Sequence, residues 1–136
     1  MPRWDEIKAG QALPERRHTP TNASLFAYNA AIWNPHRIHY DQEYVTGVEG
    51  YPAIVIDGPL QGDWLAQTVV EWMGDDGTLV AFKYSNRRAC YLGETLTAGG
   101  TVTRVDPDRR EATVELFVRN AEGEVTSPGE AVVRFG

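Results

Sequence analysis

Residues 58–74, GPLQGDWLAQTVVEWMG, decide how the rest of the chain is read. Pro59 suits the first position of a helix, where a missing N–H costs nothing, and Gly74 suits the residue just past the end. Between them Leu60, Trp64, Leu65, Val69, Trp72 and Met73 recur at helical spacing, which predicts an amphipathic helix with a stripe broad enough to be largely buried. Trp64 and Trp72 are therefore expected in a core rather than as a platform for a ligand.

Downstream the period changes. TLVAFKYSN (78–86), ETLTAGGTVTRVD (94–106), EATVELFVRN (111–120) and EVTSPGEAVVRFG (124–136) are β-rich runs, separated by turn residues such as Asp106-Pro107-Asp108 and Asn120-Ala121-Glu122-Gly123. In the third run Ala112, Val114, Leu116 and Val118 alternate with Thr113, Glu115, Phe117 and Arg119, as a sheet with one face on a core requires. Helices followed by consecutive strands predict an α+β fold, an antiparallel sheet with the 59–73 helix laid across one face.

Upstream, Thr21-Asn22 offer caps for ASLFAYNAAIW (23–33), where Leu25, Tyr28, Ala31 and Ile32 repeat at helical spacing. That helix is expected to stop at Asn34-Pro35. Beyond it WNPHRIHYD (33–41) crowds an Asn, two His, an Arg and an Asp into nine residues, at a helix end where irregular backbone commonly carries function. DQEYVTGVEGYP (41–52) reads as a helical turn broken at Gly47 and Gly50, and AIVIDGP (53–59) as an apolar run entering the long helix.

With 136 residues, 42% hydrophobic and 24% charged, the chain is expected to fold as one domain spanning 1–136. A net charge of −6 argues against nucleic acid, which needs a basic face, but leaves room for a small anion met by local Arg or Lys. No apolar run could span a bilayer and the first twenty residues lack a secretory signal's apolar centre, so a cytoplasmic location is expected, without membrane partners. The single Cys90 excludes an intrachain disulfide and fits a reducing compartment.

The order of elements, NPHRIHYD and IDGPL at the start of a long helix resemble the MaoC-like (R)-specific enoyl-CoA hydratase/dehydratase family, whose fold is a single hotdog, a sheet wrapped around a central helix. The likeness is greatest to the branch carrying N-x-H-R-I-H-Y-D, which includes fungal mitochondrial 3-hydroxyacyl-thioester dehydratases and proteins like mesaconyl-CoA hydratase. The wider family's motif is an Asp, four residues, then a His, with an acid two further on. Laid on this sequence the His is His39, the second acid is Asp41, and Asn34 stands at the Asp position.

The resemblance implies interconversion of a 2-enoyl-CoA and a 3-hydroxyacyl-CoA, with no bound cofactor and no metal; the thioester, on coenzyme A or an acyl carrier, is substrate. Such chemistry needs a base for water, an acid for the α-carbon and donors for the thioester oxygen. His39 is the expected acid/base, because an imidazole titrates near neutrality. The resemblance gives Gly58 an oxyanion role through its backbone N–H at a helix start, with no side chain to block the thioester. Asn34 cannot take a proton near neutral pH and is expected to orient water or the His39 ring.

Arg37, Asp41 and Asp57 are candidates for holding substrate; Arg37 is also a natural partner for a carboxylate, and Asp41 for backbone or His39. His36, His39 and Asp41 could in principle bind a metal, but no further ligand cluster accompanies them. Lys83, Arg87 and Arg88 could meet coenzyme A phosphates, with a solvated strand edge as the alternative. A homodimer or larger dimer-based assembly is expected. Two rival functions stand beside the hydratase: a non-catalytic or half-catalytic hotdog subunit whose partner supplies the carboxylate absent at Asn34, and a hotdog acyl-CoA thioesterase.

Overall fold

The structure, a computed structural model, describes residues 2–136. Its elements in chain order are β1 (Arg16–His18), α1 (Asn22–Ala31), α2 (Gln42–Gly47), α3 (Gly58–Met73), β2 (Gly77–Tyr84), β3 (Leu96–Asp106), β4 (Glu111–Arg119) and β5 (Val125–Phe135). The strands form one antiparallel sheet in the order β1-β3-β4-β5-β2. The sheet wraps the long helix, which is the α+β hotdog arrangement expected.

The alternation read in β4 is what joins sheet to helix. Ala112, Val114, Leu116 and Val118 are buried, and so are Trp64, Leu65, Val69, Trp72 and Met73 of α3. Helix and sheet approach closely at Gly62, where an added Cβ would come within 2.3 Å of the Tyr84 ring. Leu65 is fully buried, and truncating it to Ala would cost about 2–5 kcal/mol in lost transfer energy and cavity. Bulges between Leu79 and Ala81 and between Val102 and Arg104 break the strand register and help curl the sheet.

Three details depart from the sequence reading. The N-terminal arm contributes a strand: Arg16, Arg17 and His18 pair with Ala98, Thr97 and Leu96 of β3. On α1 the buried positions are Leu25 and Asn29, with Ala31 and Ile32 outside. The helix ends at Ala31, before Asn34-Pro35, and Trp33 takes a φ of 58°, which reverses the chain. No described helix is long and apolar enough to cross a membrane.

Candidate active site

The site is built where three segments meet: the 3-10 turn Arg37–His39, the stretch before α3, and α1. Residues 54–56 are braced by an isolated antiparallel bridge between Val55 and Tyr91, with Ile56 N–H donating to Cys90 O, Leu92 N–H to Ile54 O and Val55 N–H to Ile38 O. This bracing fixes the His39 turn against the entry to α3.

His39 is buried, with Nδ1 2.8 Å from the Val55 carbonyl oxygen. A carbonyl can only accept, so Nδ1 carries hydrogen and Nε2 is the nitrogen free to exchange a proton. Nε2 faces Asp57 Oδ2 at 3.5 Å, just beyond ordinary hydrogen-bond length.

Asp57 is wholly buried at the residue preceding α3, and its side chain does not cap the helix. Its Oδ1 accepts from Asn29 Nδ2 at 3.0 Å, and the same Asn29 amide donates to Leu25 O at 2.8 Å. Asp57 Oδ2 has no hydrogen-bond partner among the described residues. Burial pushes the Asp57 carboxyl above its usual range, against the opposing pull of the Asn29 hydrogen bond and of His39. A carboxylate so placed is ready to take a proton, and the free Nε2 lies beside it.

Gly58 follows Asp57 directly. As the first residue of α3 its N–H has no intrahelical acceptor, and Pro59 has no N–H to compete, so a donor at the positive end of a 16-residue helix is left open. The expectation that this position is bare because it lacks a side chain needs correction. A Cβ at Gly58 would lie 2.2 Å from Asn86 Nδ2, so the space over its Cα is filled by the Asn86 carboxamide.

The remaining expected residues divide. Asn34 Oδ1 accepts from the His36 N–H at 3.1 Å, and Asn34 N–H donates to Asn29 O at 2.9 Å. Asn34 thus shapes the loop, and no hydrogen bond joins it to His39. Asp41 caps α2 by accepting from Tyr44 N–H at 3.1 Å, and its other oxygen takes Arg37 Nε and a terminal nitrogen at 3.1 and 3.0 Å. The Tyr44 N–H and Arg37 guanidinium hold the Asp41 carboxyl below its usual range. Arg37 also lies 4.2 Å over the Tyr44 ring. Both residues tie down the loop without reaching the His39–Asp57 pair.

Two hollows are lined by neighbours of that pair. One, of about 290 Å³, is lined by Phe26, Asn29, Trp33, Asn34, Pro35 and Tyr40, so Asn34 faces this hollow as well as shaping the loop. The other is lined by Val55, Gly58, Asn86, Arg87 and Arg88, so two of the three cations singled out in the sequence stand beside Gly58. Lys83 instead lies at the sheet surface, 3.9 Å from Glu130. Cys90 is buried and burial raises its thiol above the usual range, which leaves it a packing residue.

Sequence reasoning placed Asp57 only as a substrate contact and passed over Asn29 and Asn86. The available signal was AIVI before Asp57: a carboxylate entering a helix behind an apolar run is set up for burial. Asn29 and Asn86 carried no such signal, because each reaches the site only through the fold.

The model of one family, hydroxyacyl-thioester dehydratase type 2, matches residues 5–92. Mitochondrial hydroxyacyl-thioester dehydratase type 2 of Saccharomyces cerevisiae is 32% identical over 82 residues, covering 60% of this chain and 29% of that protein. Mesaconyl-C(4)-CoA hydratase of Chloroflexus aurantiacus is 47% identical over 45 residues, 33% of this chain and 16% of that protein. The chain therefore spans less than a third of the length of either relative. Among solved structures, an (R)-hydratase from A. caviae involved in PHA biosynthesis superposes with a TM-score of 0.84 at 20% identity, covering 96% of this chain and 98% of that one. With the family model spanning both His39 and the Asp57-Gly58 step, the chain belongs to the hydroxyacyl-thioester dehydratase type 2 family.

Proposed function

We propose that this chain reversibly hydrates a 2-enoyl thioester to the 3-hydroxyacyl thioester, with His39 and Asp57 as its proton-transferring pair. The observation that carries this reading is the unpartnered, buried Asp57 Oδ2 facing His39 Nε2 at 3.5 Å. A water held between the two loses a proton to one of them as its oxygen bonds to the β-carbon. The electron pair of the double bond moves to the α-carbon and the thioester carbonyl, and the α-carbon then takes a proton from the pair. One O–H bond breaks, one C–O and one C–H bond form, and no external oxidant or cofactor enters. The Gly58 N–H steadies the charge that develops on the thioester oxygen.

The two hollows suit the two ends of such a substrate. Phe26, Trp33 and Tyr40 offer an apolar wall for the acyl group, with Asn29 linking that wall to Asp57. Arg87 and Arg88 beside Gly58 offer guanidinium groups to a phosphate-bearing carrier such as coenzyme A, although Arg88 now pairs with Glu124 at 3.1 Å. A dimer-based assembly belongs to this reading, supported by β2 at the sheet edge with Val80 and Tyr84 exposed. A cytosolic, reducing setting belongs to it as well, supported by the free thiol of Cys90. Asp57 removes the motive for a carboxylate supplied by a partner chain.

The test is hydration of short, medium and bulky 2-enoyl-CoA thioesters by the purified chain, followed by loss of the conjugated-enoyl absorbance, beside His39→Ala and Asp57→Asn. Activity present in the parent and lost in both variants is expected. An inactive parent across the panel, or release of free acid and thiol as products, overturns the reading.

A further inference from the structure

A single backbone N–H is a thin support for a developing oxyanion, and the residue packed over Gly58 is itself a donor. Asn86 lies in the loop after β2, which is pinned to β5 on both sides: Ser85 N–H donates to Pro128 O at 3.0 Å and Arg87 N–H to Thr126 O at 2.8 Å. Its side chain is anchored at one end. Asn86 Oδ1 accepts from the hydroxyl of Ser127, a fully buried residue of β5, at 2.8 Å. That hydroxyl is shared with Oε1 of the buried Gln61 at 2.7 Å, and Gln61 Oε1 also receives Thr126 Oγ1 at 2.9 Å.

With Oδ1 held inward by Ser127, the NH₂ end of the Asn86 amide turns toward Gly58, where its nitrogen lies too close to leave room for a Cβ. Among the described residues no acceptor takes its hydrogens, and both Asn86 and Gly58 face the same hollow. Only a glycine at 58 leaves room for that arrangement.

We propose that Asn86 Nδ2 is the second hydrogen-bond donor to the thioester oxygen, completing an oxyanion hole with the Gly58 N–H. The proposal rests on the hydratase reading above, and Ser127 is its positioning residue. Preorganised donors of this kind typically contribute about a hundredfold or more in rate when water is excluded.

The experiment compares Asn86→Asp and Asn86→Ala with the parent on whichever enoyl-CoA the parent hydrates best. The Asp variant keeps the shape and still accepts from Ser127, but has no hydrogen to give. A fall in kcat of about a hundredfold in both, with KM changed far less, is expected, and Ser127→Ala should lose about tenfold. A second readout uses a bound dienoyl-CoA in the His39→Gln background, where turnover is blocked. Its absorbance should shift to the red through carbonyl polarisation, and the shift should shrink when Asn86→Asp is added. Parent-like kcat in folded Asn86→Asp, or an unchanged spectral shift, overturns the proposal while leaving the hydratase reading intact. An inactive parent instead overturns the reading on which it rests.

Discussion

The loop 34–41 and the turn 55–58 make an instructive pair. The loop holds most of the chemically versatile side chains in its neighbourhood, yet Asn34, Arg37 and Asp41 spend their polar groups on one another and on backbone. The turn reads Val-Ile-Asp-Gly and looks poor, but it supplies the Val55 carbonyl that fixes the His39 tautomer, the buried Asp57 and the Gly58 N–H. The difference is burial. Exposed polar groups find partners cheaply, whereas a carboxylate forced into an apolar step is left with an unsatisfied oxygen aimed at its neighbour.

The comparison breaks first at Asp57. Asp57→Asn and His39→Ala should each lower kcat by about a thousandfold or more, within the usual range for general acid–base groups. Asn34→Ala should lose less than about tenfold, because it removes one loop hydrogen bond worth about 1 kcal/mol. Steady-state kinetics on the three variants decides between the two regions; a larger loss at Asn34 than at Asp57 would reverse the assignment.

A second, smaller effect separates them by pH. Burial raises the Asp57 pKa in the folded state, so the folded chain holds that proton more tightly than the unfolded chain. Stability from this group therefore declines as pH climbs from the ordinary carboxylate range through the raised value. Asp57→Asn removes that decline, so denaturant midpoints of the two proteins should converge at low pH and favour the variant at higher pH. Asp41 has the opposite sign, its carboxyl lowered by Tyr44 N–H and Arg37, so its support is lost as pH falls through the lowered value.

The mildest contrast concerns stability without catalysis. Asp41→Ala removes the α2 cap and should lower the chemical-denaturation midpoint slightly, with kcat close to that of the parent. A large kcat loss there would give Asp41 itself a direct catalytic share.

These contrasts track what was legible in the chain. The strands and α3 were readable because alternation and helical spacing report directly on which face meets a core. Arg16-Arg17-His18 showed no such period, since that strand exists only by pairing with β3 at the sheet edge. The spacing on α1 accommodates Ala31 and Ile32 as well as Asn29, and it is Asn29 that is buried, its amide bonded to Leu25 O and Asp57. His39 and Gly58 stand out as candidates through their motif. The placement of Asp57 beside His39 does not, since in one dimension Asn34 and Asp41 are its nearer competitors for His39.

One peptide bond joins Asp57 to Gly58 at the head of α3. On the proposed reading the proton acceptor and the oxyanion donor therefore sit on adjacent residues, so a rocking of the helix would carry both across a bound substrate together.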